Sequence, residues 1–127
     1  MTKQEICRIV GGMLAVLTGM AVGFGGLQLW NGAPSSWKDV IANRSTVKNA
    51  ARGIVVVAVM LLIGGVAVAF NLAWGQLAAS IAIVNFVAGG FWANYILFGK
   101  IRPLHTGANV VVGAIIFWLL WLGYVPS

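Results

Sequence analysis

Glu5, Asp39, His105 and Cys7 are the only carboxylate, imidazole and thiol side chains among 127 residues. They bound the chemistry available to this chain. General acid–base catalysis needs two titrating groups within hydrogen-bond reach of one substrate, and a structural or catalytic metal needs three or four ligands. Glu5 and Cys7 precede the first apolar stretch, Asp39 falls in a polar connection and His105 follows Pro103. No spacing draws them into a motif. A single cysteine forms no internal disulfide and no multi-cysteine metal site, and Cys7 reads as a small apolar residue opening a helix. Haem held between helices normally takes two axial histidines, so His105 reads as a loop hydrogen-bonding group. The expectation is a chain with no catalytic residue, no cofactor and no metal, and not an enzyme. Proton relays need ionisable groups at membrane depth. The apolar stretches carry none, which argues against a proton-coupled exporter.

Asn85 is the polar side chain that asks for an explanation. It stands midway along an apolar segment, where an unpaired amide costs several kcal/mol. It is expected to bond to a facing helix, a neighbouring subunit or a permeating species. A structural interhelical bond is favoured, with Thr18 as a candidate partner. Asn94 and Asn109 fall nearer a segment end and are expected to be solvated there.

The elements that must position these residues follow from hydropathy. From Gly53 to Gly99 the chain has no Asp, Glu, Lys or Arg. One helix of that length, at about 1.5 Å per residue, would be roughly twice as long as the ~30 Å hydrocarbon core. The run must cross, turn and cross back. Ile9–Trp30 and Thr106–Tyr124 are each long enough for one further crossing. The composition, 61% hydrophobic and 8% charged, lies far from the roughly 25% charge of soluble domains. The reading is an all-α membrane protein, one domain over 1–127, built as a bundle of four transmembrane helices with spans at about 6–30, 53–70, 77–98 and 106–124. Lys3 and Arg8 before an apolar run imitate a signal peptide, but the run is too long and lacks a cleavage pattern, so it reads as a retained helix. Asn31-Gly32-Ala33-Pro34 stops the first span. Ser36-x-x-Asp39 then resembles a capping box, and Trp37, Val40 and Ile41 share one side of a short interfacial helix between spans one and two. Asn71 to Gln76 is the one available turn between spans two and three, which forces an antiparallel hairpin.

In lipid, helices associate through small residues that admit close backbone approach. Gly12, Ala15, Gly19, Gly23 and Gly26 recur every three or four residues along one face of span one. Span three repeats the pattern with Ala78, Ala82, Asn85, Gly89 and Ala93, and span two has Gly65, Ala69 and Ala73. These faces are expected to be helix-packing or partner surfaces.

The net charge of +6 does not point to nucleic acid, because the basic residues flank apolar spans. Lys38, Arg44, Lys48, Arg52, Lys100 and Arg102 fall on one side of a four-span topology and only Lys3 and Arg8 on the other. The positive-inside rule then places both termini outside and the basic loops 31–52 and 99–105 in the cytoplasm. Trp30, Trp74, Trp121 and Tyr124 stand near span ends, as an aromatic belt would. The functional expectation is a non-catalytic integral membrane subunit or self-assembling scaffold within a larger complex. Its partners would be the lipid bilayer and other membrane subunits or copies of itself. The alternative is a small homo-oligomeric channel or facilitator without proton coupling, with Asn85 and the glycine face of span one along its path.

Overall fold

The computed structural model describes residues 2–31, 44–99 and 103–123, which are all-helical apart from caps and one turn. Four helices follow one another: α1 (Lys3–Trp30), α2 (Arg44–Ala69), α3 (Gly75–Phe98) and α4 (Pro103–Leu122). Each is long and apolar enough to span a membrane. Large apolar side chains such as Phe24, Val84 and Trp118 cover the outer surface, a surface compatible with lipid.

Local chemistry sets the helix ends. Thr2 caps α1, its hydroxyl accepting from the Glu5 amide at 3.2 Å, and the Glu5 carboxylate sits in the first turn, where the helix dipole favours negative charge. At the end of α2 the chain makes a Schellman turn. Asn71 takes a left-handed φ of 57°, which asparagine tolerates better than most residues. Its amide donates to Val68 O at 3.0 Å, and the Leu72 amide donates to Ala67 O at 2.9 Å, satisfying carbonyls that the helix end would orphan. α3 stops at Gly99, left-handed at φ 71°. α4 begins on Pro103, whose missing N–H is no loss in a first turn.

Two boundaries differ from the sequence reading in an informative way. α2 starts at Arg44 rather than near 53, so Lys48 and Arg52 belong to the helix and not to a loop. Their long side chains reach to Trp30 at the end of α1, with Lys48 Nζ 5.0 Å and Arg52 Cζ 5.3 Å from its ring centroid. Charge marks the edge of the apolar span, not the end of the helix, because basic side chains extend toward the polar side of a helix terminus. α4 likewise begins three residues before the expected 106. The proposed interfacial helix after Asn31 lies outside the described residues.

The helices form an antiparallel ring in which α1 touches α2 and α4, and α3 touches α2 and α4. Gly64 and Gly65 let α2 serve both neighbours. A Cβ on Gly65 would meet Gly12 O of α1 at 2.7 Å, and one on Gly64 would meet Ala79 Cα of α3 at 2.7 Å. Adjacent residues point about 100° apart around a helix, so one dipeptide admits two close crossings. Packing gathers in two clusters. The larger joins all four helices through Ala15, Leu61, Ala82, Phe86 and Ile116. The smaller joins α1, α2 and α3 through Leu29, Ala50 and Leu97 near the other end, and α4 takes no part in it.

Candidate functional site

Gly12, Gly19 and Gly26 of span one turn toward α2. Ideal Cβ atoms on Gly12, Gly19 and Gly26 would come within 3.0 Å of Gly65 O, Ala58 O and Val55 Cγ2 respectively, and Ala15 is fully buried. Gly23 is looser, its nearest neighbour being Ala58 Cβ at 3.4 Å. This face is an internal seam between α1 and α2.

Span three does not keep its small residues on one contact face. Ala82 is buried in the large cluster, but Asn85 is exposed and Gly89 has open space where a Cβ would stand. Among the described residues, Asn85 makes no interhelical bond. Its Nδ2 donates to Ile81 O of its own helix at 2.9 Å, and Thr18 likewise turns back to Leu14 O at 2.7 Å. Serine, threonine and asparagine satisfy themselves locally in this way wherever the preceding carbonyl is in reach, so membrane depth alone does not demand a partner helix. On span two, Gly65 and Ala69 face α1, whereas Ala73 falls in the exposed turn after Asn71.

A different amide makes an interhelical hydrogen bond. Gln76, in the first turn of α3, donates from Nε2 to Leu120 O of α4 at 2.6 Å. Leu120 lies in the last turn of α4, where carbonyls have no intrahelical partner, so Gln76 both joins two helices and caps one. Beside it Gly11 meets Leu120 and Gly123 meets Arg8. That end of the bundle is closed.

Toward the opposite end the bundle opens. Asn85 and Gly89 border a half-open cavity of about 1060 Å³ between the second half of α1, the middle of α2, the second half of α3 and the start of α4. Its floor is the large cluster at Phe86, and its rim is near Phe98 and His105. Gly25 faces it with nothing within 4 Å. The wall from α2 is Ile54, Val57 and Met60, and α4 contributes only His105 and Asn109. Ligand sites typically measure about 300–1,000 Å³ and set a few polar groups among apolar ones. This cavity has that size and that mixture.

Among the described residues its polar side chains are three asparagines and His105. Asn94 is buried, not solvated as the sequence reading expects. Its Nδ2 donates to Gly90 O at 2.8 Å, while its Oδ1 is buried and has no hydrogen-bond partner among the described residues. Asn109 reaches across from α4 onto the same glycine, its Nδ2 lying 2.7 Å from where a Gly90 Cβ would be. Gly90 thus makes room for the second amide. The signal in the sequence was faint: Gly90 and Asn94 are one helical turn apart, but nothing tied Asn109 to them before α3 and α4 were paired. Among the described residues, no group of three or more His, Cys, Asp or Glu side chains is placed to hold a metal. Comparison with protein-family models, curated proteins and solved structures finds no match.

Proposed function

We propose that this chain is a non-catalytic, multi-pass membrane subunit that binds a small uncharged molecule in the cavity between α1, α2, α3 and α4. The observation that carries the reading is the contrast between the two ends of one bundle. One end is fixed by the glycine seam, the Gln76–Leu120 bond and the large cluster, while toward the other the described residues border a chamber with amides and aromatic rings. Random loosening would leave an apolar void, which is costly and dry. Here the chamber gathers three asparagines and a histidine out of an otherwise apolar composition, as binding sites do.

In this reading both termini face outside, and the basic segments 31–52 and 99–105 face the cytoplasm, following the distribution of Lys and Arg. The lipid bilayer is then the first partner, and other subunits or further copies pack against the outer apolar surface. The cavity is floored by the large cluster, so the protein acts as a receptor or carrier subunit and not as an open pore.

The test is native mass spectrometry of the tagged protein, extracted from its own membrane in mild detergent. The wild type carries a bound small molecule, and Gly89→Trp, which fills the chamber without meeting any atom at its Cβ, loses it at unchanged oligomeric state. A ligand-free wild type, bound instead to a stoichiometric larger membrane protein that Gly89→Trp does not displace, overturns the binding reading in favour of a plain scaffold.

A further inference from the structure

Where α1 stops and α2 starts, the bundle sets two cations beside exposed apolar surface. We infer that this end is a binding site for one anionic phospholipid, its phosphate held by Lys48 and Arg52 and one acyl chain laid along the outer face of α2. A lipid here stands apart from whatever fills the cavity, since Trp30, Lys48 and Arg52 are not among the cavity's walls.

Lys48 and Arg52 stand one turn apart on α2, and both reach the same ring. Lys48 Nζ lies 5.0 Å and Arg52 Cζ 5.3 Å from the centroid of Trp30. Like charges one turn apart repel, and an indole face attracts cations without bringing a net charge to neutralise them. The carboxylates of this chain do not suffice either. There are two, Glu5 and Asp39. Glu5 sits in the first turn of α1, the length of that helix away from Trp30, and Asp39 brings one charge for two cations. Arg52 and Trp30 are exposed and Lys48 is half-buried, so an anion from outside the chain has access. A phosphate diester suits the place, because its oxygens accept where an ammonium and a guanidinium fork only donate.

The surface beside the cations separates a lipid from a soluble phosphate. Arg52, Val56, Val59 and Ile63 follow at intervals of four, three and four residues, which is one stripe of a helix. The three apolar side chains of that stripe are all exposed. From Arg52 to Ile63 it runs about 16 Å at 1.5 Å per residue, close to the depth of one leaflet in a hydrocarbon core of ~30 Å. Trp30 marks the level at which the stripe begins, because indole rings settle among headgroups. A headgroup at Lys48 and Arg52 therefore continues into an acyl chain on Val56, Val59 and Ile63. A free phosphate would leave the stripe unused.

The test is a lipid titration of the purified full chain in mild detergent, read by native mass spectrometry. Phosphatidylglycerol is compared with phosphatidylcholine of the same acyl chains, whose choline cation cancels the phosphate charge. The first phosphatidylglycerol is expected to bind with half-saturation on the order of tenfold below that of phosphatidylcholine, the scale set by one or two basic side chains beside an anionic headgroup. Lys48→Gln with Arg52→Gln abolishes the preference and leaves phosphatidylcholine binding as it was, which also shows that the bundle has folded. Lys3→Gln with Lys100→Gln, an equal loss of charge elsewhere, keeps the preference. Equal affinity of the wild type for the two lipids overturns the site. So does a preference that survives the Lys48 and Arg52 changes, or one that the control pair abolishes as well. Inorganic phosphate in large excess is expected to displace no more phosphatidylglycerol than chloride of the same ionic strength. Specific displacement by phosphate marks a soluble-anion site and overturns the lipid assignment.

Discussion

Gly12 and Gly65 face each other across the α1–α2 seam so closely that a Cβ on either would come to 2.7 Å from the carbonyl oxygen of the other. The contact is reciprocal and made of backbone, so neither side can move a side chain aside. Real Cβ atoms do not approach a carbonyl oxygen so closely, and a substitution must push the helices apart. Overpacking of this kind costs about 1–3 kcal/mol. Gly12→Ala and Gly65→Ala should each lose that much in equilibrium unfolding of the purified protein. Gly25→Ala, on the same helix but facing open space, should be neutral or slightly stabilising, since alanine is the better helix former. Equal losses at all three sites would contradict a seam.

The same logic grades the glycines of α1 more finely than their spacing does. Gly19 would set a Cβ 3.0 Å from Ala58 O, but Gly23 meets only Ala58 Cβ at 3.4 Å, an ordinary contact. Gly23→Ala should therefore be tolerated and Gly19→Ala should not, measured by thermal unfolding in one detergent. Two losses of equal size would mean that the bundle is packed more tightly at Gly23 than its geometry indicates.

Much of the fold could be read from periodicity and charge, and the reasons for the rest are physical. The four helices and the Asn71–Gln76 turn followed from hydropathy and breaker residues. The seam of α1 was visible as a stripe, because a close crossing demands small residues at helical spacing. Which helix would receive it was not, since Gly64 and Gly65 look alike in sequence and face different neighbours. The polar residues misled for a related reason. Asn85 drew attention by its depth but bonds its own helix, whereas Gln76, near a segment end, makes the bond between helices. Depth says what an amide needs, and only the packing says who supplies it. The Asn94–Gly90–Asn109 grouping depends on pairing α3 with α4, a long-range fact that no local pattern carries.

The orientation rests on the distribution of basic residues. In a Cys7→Ala background, Thr2→Cys and Ser127→Cys should react with an impermeant thiol reagent in intact cells, and Ser45→Cys should react only after the membrane is opened. Lys48 and Arg52 stacked on Trp30 would then stand at the cytoplasmic face, where cations and an aromatic ring suit the headgroup region. The reverse labelling pattern would invert the topology and move the cavity's rim to the outer side.

Gln76 and Asn85 separate structural from functional amides. Gln76 Nε2 bridges α3 to an otherwise orphaned carbonyl of α4, so Gln76→Leu removes a cross-helix bond and uncaps Leu120 O at once. Hydrogen bonds between membrane helices average about 0.6 kcal/mol and reach about 1.7. The added loss of the cap places Gln76→Leu toward the upper figure in equilibrium unfolding. Among the described residues Asn85 bonds Ile81 O one turn back, and it borders the cavity. Asn85→Ala exposes no cross-helix partner and gains helix propensity, since alanine is the better helix former by up to about 0.7 kcal/mol. It should leave stability unchanged or slightly raised while lowering the amount of small molecule that native mass spectrometry finds bound. A large destabilisation by Asn85→Ala would show that its amide joins the bundle to a second copy or another subunit, and would return this position to the role of a contact between helices.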